Sequence, residues 1–527
     1  MWDDAQVYLK SVSAIRDLAW YTTLTEDVMR MMRVIVGFVS ILGLLCSVAI
    51  GRQQTVQGKV SLSEESQACL ECHKTATPGI VEDWMTSRHA NVSPGQALRV
   101  PVNERRISTE AIAKELMPNV VGCYECHARR TSDHKDNFDH FGYKINVIVS
   151  PEDCATCHGV EARQYAEGKK AHAVGNLEDN PLYSALVETI DGMKIVNGVA
   201  VKRQAASGMT KHETCFACHG TRVEVGGMKT VTTIAGDIEV PDLRHWPNQG
   251  VGRGNPDGSA GSCTSCHPRH SFSIEIARKP HTCGQCHLKP DLPAWDVYKE
   301  SKHGNIIASK EQQQDWDAVP WKVGKDFRSP SCATCHMSLI ATPDGETVVE
   351  RSHNFGARLW VRIFGLPYSH PQPKGGNTAI IKNKDGLPLP TTFAGLPASE
   401  YLIDQAEQDL RQSEMKKVCL TCHGTSWSNG HFAKLAKTNI EADSMVLAAT
   451  KLMTEAWKRN LADKTNPFDE AIEQRWVSQW LFYANSVRHA SAMAGPDYAS
   501  FENGWWELTR NLEEMREYIL QHTGKRK

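Results

Sequence analysis

The chain has almost no net charge: 59 Lys and Arg stand against 61 Asp and Glu, giving −2 at pH 7. A balance this even leaves no basic surface on which a nucleic-acid reading could rest. Long apolar runs are scarce as well. Only Val34 to Ile50 is continuous enough to consider, and no segment after it could cross a bilayer. Cysteine leaves nothing over: of 17, all but Cys46 fall into one repeated pattern, so no pair is free for a disulfide. Hydrophobic residues make up 41%, a modest share for 527 residues. Something besides side chains must then supply apolar core.

What is present in quantity is Cys-x-x-Cys-His. The pattern occurs at Cys69-Cys72-His73, Cys123-Cys126-His127, Cys154-Cys157-His158 and Cys215-Cys218-His219. It returns at Cys263-Cys266-His267, Cys283-Cys286-His287, Cys332-Cys335-His336 and Cys419-Cys422-His423. This spacing lets two thiols add to the vinyl groups of one haem while the next residue ligates its iron. One such match is open to a zinc or redox-dithiol reading; eight are not. The sequence therefore predicts eight covalently bound c-type haems, which would also provide the missing apolar surface.

Val34 to Ile50, preceded by Met29-Arg30-Met31-Met32-Arg33 and ending in Ser47-Val48-Ala49, reads as a secretory signal peptide. The competing reading is a retained membrane anchor, for which 17 apolar residues are barely enough. Residues 1–28 do not resemble the start of a signal, so translation is expected to begin at Met29, Met31 or Met32. Covalent haem attachment belongs to the exported side of a membrane, which agrees. The expected location is the periplasm or an equivalent lumen (the anammoxosome, in an anaerobic ammonium oxidiser), with no membrane span in the mature chain.

Three regions follow: 1–50 as signal and upstream start, 51–435 as the haem domain, and 436–527 as a helical region. The predicted class is mainly α with little sheet. Short intervals between motifs put their haems side by side, as an electron wire needs. The interval between His336 and Cys419 instead carries Pro367, Pro371, Pro373, Gly375, Gly376, Pro388, Pro390 and Pro397, the marks of a long irregular excursion. Helical periodicity returns at 400–418. Beyond His431 no cysteine occurs, and 439–461, 469–494 and 500–521 read as long amphipathic helices carrying Trp457, Trp476, Trp480, Trp505 and Trp506. Two readings suit that tail, a cap on the haem domain or a subunit interface.

Haem iron takes two axial ligands, and an open sixth position makes a reactive centre. Besides the eight proximal histidines there are 14 others, enough to close every haem. Expected distal ligands are His89, His140, His172, His270, His303, His353 and His431.

The spacing of the motifs resembles that of the hydroxylamine oxidoreductase family. So do the run Gly250-Val251-Gly252-Arg253-x-Asn255-Pro256-Asp257-Gly258-Ser259 and the stretch from Cys263 through His270-Ser271-Phe272-Ser273. Ser301-Lys302-His303-Gly304 and Pro496-Asp497-Tyr498 fit as well. The resemblance covers about 65 to 520. It implies a homotrimer of octahaem subunits in which seven haems are bis-histidine and the fourth is five-coordinate. In oxidative members a Tyr from a neighbouring subunit is bonded to that fourth haem. Carried over, the catalytic haem is held by Cys215, Cys218 and His219, and the distal Asp-His pair maps to Asp242 and His245. This chain departs there, because Arg244 rather than Asp precedes His245. Tyr498 is the expected cross-link, with Tyr483 next. The resemblance thus implies oxidation of hydroxylamine, or hydrazine, with electrons passing to a soluble cytochrome c. Two rivals remain: a nitrite or hydroxylamine reductase of the same architecture without the cross-link, and a non-catalytic electron conduit.

Overall fold

A computed structural model of the chain describes residues 61–523, which fall in one compact unit. The expected signal peptide and start site lie outside the described residues. Among the described residues no helix is long and apolar enough to cross a membrane.

Most of the chain is short helices joined by irregular segments, as a structure whose core is partly prosthetic group requires. Serines start many of them. The side chains of Ser63, Ser87, Ser93, Ser150 and Ser301 each accept a hydrogen bond from a backbone N–H of the first turn, satisfying donors that the helix leaves unpaired. The interval from His336 to Cys419 is irregular over most of its length, and helix resumes at Gln405–Leu420.

The tail contributes most of the largest hydrophobic core among the described residues. Thr425–Lys458 is a helix of 34 residues, about 50 Å long. It buries Phe432, Leu435, Asn439, Ala442, Val446, Ala449, Met453 and Ala456, a three–four alternation that keeps one stripe inward. Ala471–Val477, a π-helical turn Ser478–Tyr483 and Ala484–Met493 run on as one rod, and Trp505–Thr523 packs beside them. The boundary expected at 435/436 falls inside the first of these helices.

The aromatic faces of the tail pack on one another rather than outward. Trp476 is fully buried, edge-on to Trp457, Trp480 and Phe393, and donates its indole N–H to Thr450. Trp457 donates to the buried carboxylate of Glu473. Trp427, Phe501 and Trp506 are the exposed large rings among the described residues there. Most of the large rings of the tail thus serve as core within the chain. Trp476→Ala is expected to cost about 3–5 kcal/mol. Denaturation midpoints should fall equally at all protein concentrations, whereas loss of a subunit contact would show concentration dependence.

Sheet is confined to small pieces, but two hairpins exceed the sequence expectation. Met193–Asn197 pairs with Ala200–Gln204, and Glu224–Thr233 with Gly236–Arg244, both antiparallel. Their tight turns use Gly198 and Gly236 at φ 62° and 99°, a conformation in which glycine avoids the Cβ clash. The second hairpin carries Asp242 on its returning strand.

Candidate haem sites and their surroundings

Each Cys-x-x-Cys-His motif closes about one helical turn. Cys123–His127, Cys215–His219 and Cys332–His336 are separate five-residue helices. The first, third and eighth motifs lie within or at the end of longer ones. Residues three and four apart share a helix face, so both thiols and the imidazole point to the same side.

The donor set fits haem. Metal–nitrogen bonds of about 2 Å put two imidazoles on one iron roughly 6 Å apart, ring centre to ring centre. His73 and His140 stand 6.1 Å apart, His158 and His89 6.2 Å, and His423 and His303 6.0 Å. His127 gives its Nδ1 to the Asn146 carbonyl and His73 to the Thr77 hydroxyl, which fixes the ring and frees Nε2 for a metal. Burial pushes His267 and His336 down to about 4, so these rings are neutral, as ligation requires. His270 lies within electrostatic reach of His127, and His353 of His267, extending the pairing to five sites.

Two expected ligands are placed otherwise. His172 has its Nε2 on the Ala166 carbonyl at 3.0 Å. His431 is separated from His423 by the ring of Trp427, stacked at 3.8 Å on one and 5.3 Å on the other. Two ligand-like histidines were not expected. His489 is buried, holds the Asn485 carbonyl through Nδ1 at 2.7 Å, and lies within electrostatic reach of His287. His370 is 3% exposed, its Nδ1 on the Pro371 carbonyl and its Nε2 unpartnered. Fixed tautomers at buried positions were the missing signal, and only the fold reveals them.

The thiols give the order of the sites. Cys69 adjoins Cys123, and Cys126 adjoins Cys157. Cys154 meets Cys263, Cys266 adjoins Cys283, Cys283 meets Cys332, and Cys335 adjoins Cys419. Seven sites thus form a line running first, second, third, fifth, sixth, seventh, eighth. The fourth meets the sixth through Cys218 and Cys286 and hangs from the line as a branch. Cys72 and Cys422, at the two ends, are the exposed cysteines among those described.

Around that branch, Gly250-Val251-Gly252 packs against the His219 turn. Val251 and Gly252 donate to the carbonyls of Cys218 and His219 at 3.0 Å. A Cβ on Gly252 would meet the His219 carbonyl at 2.7 Å, so the run must be glycine-rich for the backbones to touch. Lys170 and the part-buried Arg362 lie within electrostatic reach of His219.

The expected Asp-His pair does not form. Asp242 is ion-paired with Lys229 at 3.0 Å on the exposed hairpin. His245, exposed at φ 61°, sets its ring against His212 at 4.3 Å and accepts from the Thr221 hydroxyl through its carbonyl. Tyr498 is 1% exposed and packs against Val297 and Ala490 of its own chain. Tyr483, half-buried, faces Glu507, Arg510, Glu514 and Arg475.

Comparison with known proteins agrees with this architecture. Residues 241–353 match a family described as seven times multi-haem cytochrome CxxCH, and 153–238 match cytochrome c554 and c-prime. A solved structure described as a hypothetical multiheme protein is 40% identical, with a TM-score of 0.82 over 91% of this chain and 98% of that one. A probable nitrite reductase-hydroxylamine oxidoreductase fusion protein of Kuenenia stuttgartiensis is 25% identical over 423 residues, 76% of this chain. The chain matches 39% of that protein's length. The reducing HAO-like protein complex of the same organism shares the fold, at 18% identity, a TM-score of 0.57 and coverage of 87% and 85%. With the motifs and paired histidines, these likenesses establish that the chain belongs to the multihaem c-type cytochromes, and a hydroxylamine oxidoreductase fusion protein is among its relatives.

Proposed function

We propose that this is an exported octahaem redox enzyme that reduces nitrite or hydroxylamine at the haem held by Cys215, Cys218 and His219. Electrons arrive from a small redox protein, such as a soluble cytochrome c, through the other seven haems. The observation that carries the direction is the burial of Tyr498 inside its own chain. Without a Tyr bond the fourth haem lacks the feature that the resemblance ties to oxidation. The two Kuenenia relatives, one described as a probable nitrite reductase-hydroxylamine oxidoreductase fusion and one as a reducing HAO-like complex, favour the same direction. So does Arg362, which makes no ion pair with a carboxylate among the described residues and favours an anion nearby.

A bound haem would supply the iron that binds the substrate nitrogen and the electrons that reduce it. The chain positions it through His219 and sets a cationic field beside it through Arg362. His245 remains a candidate proton carrier, with His212 rather than Asp242 as its partner. An open sixth position on a haem held by His219 would distinguish such an enzyme from a conduit closed by a second histidine at every haem.

The purified holoprotein should reduce nitrite or hydroxylamine with a reduced viologen dye and show no red-shifted band in its reduced spectrum. Peptide mapping should find no Tyr joined to the Cys215–His219 peptide. A Tyr–haem peptide together with hydroxylamine-dependent reduction of cytochrome c would restore the oxidative reading, hydroxylamine first and hydrazine second. Absence of any high-spin haem would leave the conduit.

A further inference from the structure

One short pattern recurs three times, and its third copy replaces a ligand. The first copy runs Trp84-Met85-Thr86-Ser87-Arg88-His89 and the second Tyr298-Lys299-Glu300-Ser301-Lys302-His303. In both, a buried aromatic lies in the last turn of one helix, a serine caps the next, and the histidine two residues on faces a proximal histidine at 6.2 and 6.0 Å. The third copy is Tyr165-Ala166-Glu167-Gly168-Lys169-Lys170. Its backbone turns the same way: Gly168 N–H donates to the Tyr165 carbonyl at 2.9 Å, as Ser87 does to Trp84 at 2.9 Å and Ser301 to Tyr298 at 3.0 Å. Tyr165 is buried as Trp84 and Tyr298 are. Lys170 therefore occupies the position of His89 and His303, while His172 has passed out of register.

Lys170 also reaches a site. Its Nζ lies 3.5 Å from Nε2 of His287, the nitrogen that the sixth motif presents to iron. Two nitrogens on opposite sides of one metal stand about 4 Å apart, given bonds of about 2 Å. No ion pair with a carboxylate engages Lys170 among the described residues, and its other close contact is the Phe355 ring at 4.4 Å.

We propose that Lys170 is the second axial ligand of the haem bound by Cys283, Cys286 and His287, making it a His–Lys haem. Ligation takes the neutral amine, so the ammonium proton leaves to solvent when the haem is loaded. This haem is the one that the branch site adjoins through Cys218 and Cys286, so the odd ligand falls at the junction between the catalytic haem and the line. His489, also near His287, is the competing donor.

The inference rests on haem loading and not on the direction of catalysis, so failure of the nitrogen-reduction reading leaves it standing. The test is near-infrared magnetic circular dichroism and electron paramagnetic resonance of the oxidised holoprotein, with haem content fixed by intact mass. The wild type should show one haem's worth of His–Lys charge-transfer intensity, resolved from the bis-histidine band. Lys170→Ala should abolish it and add one haem's worth of high-spin signal. Lys170→His should move the intensity into the bis-histidine band without new high-spin iron, which separates ligation from a loss of fold. A wild type with only bis-histidine low-spin haems overturns the proposal. So does a Lys170→Ala protein with unchanged low-spin spectra, which would assign the position to His489.

Discussion

Replacing His134 by leucine is expected to lower the unfolding free energy by about 3–5 kcal/mol at neutral pH, the usual cost of removing one partner from a buried charge network. His134 is 1% exposed and both ring nitrogens face carboxylates, Asp136 at 3.1 Å and Asp153 at 3.2 Å, with Asp257 at 3.9 Å. A ring that donates from both nitrogens is an imidazolium. Burial pushes it down, but the hydrogen bonds and charges of Asp136 and Asp153 outweigh that and hold it up at about 9. Leucine would leave Asp136 fully buried and Asp153 nearly so, with Arg130 at 3.5 Å from Asp153 as the remaining cation. Asp153 precedes Cys154 directly and Asp257 lies in the loop leading to Cys263, so the network ties together the third and fifth haem sites, whose thiols meet.

The same network gives a pH signature. Because the folded value lies above the ordinary histidine value of about 6.5, the stabilisation is complete below 6.5 and is lost as pH rises through about 9. Urea midpoints of the wild type should therefore decline across that window. His134→Gln, which keeps size and some hydrogen bonding but not the charge, should flatten the decline. An equal slope in both proteins would assign the titration elsewhere.

Features carried by contiguous sequence were legible; features assembled across the chain were not. The eight attachment motifs and the tail helices were readable because a helical turn or an amphipathic stripe is a local pattern. His89 and His303 were readable because a serine cap precedes each. Lys170 carries the same local pattern with the ligand changed, and an eye set for histidine passes over it. His489 sits in an apolar helix where a buried histidine looks like core, and only the Asn485 carbonyl on its Nδ1 marks it as oriented. The Asp242–His245 expectation failed for a geometric reason. Asp242 belongs to an exposed two-stranded hairpin and His245 to the turn after it at φ 61°, so closeness in sequence did not become closeness of side chains. Tyr498 lies in a short helix, Pro496–Ser500, separate from the last helix that starts at Trp505, and Val297 and Ala490 of its own chain enclose it.

Removing both cysteines of the fourth site, Cys215→Ala with Cys218→Ala, is expected to separate turnover from electron transit. Intact mass should fall by one haem, and reduction of nitrite or hydroxylamine should drop by about 10³-fold or more, since the group that binds substrate is lost outright. Transit should survive, because the remaining thiols still link the sites in an unbroken sequence from Cys72 to Cys422. Stopped-flow reduction by a viologen dye followed by oxidation with cytochrome c should then proceed at near wild-type rate. The companion variant, Cys332→Ala with Cys335→Ala, makes the contrast. It removes the site between the His287 and His423 haems, so it should slow passage to the Cys422 end while the His219 haem still changes its spectrum on binding substrate. If loss of the fourth haem instead stopped transit, that haem would lie in the line and the branch would be wrong. If turnover survived its loss, the reactive iron would be another of the eight, and a five-coordinate haem would have to be sought where no second imidazole faces the first.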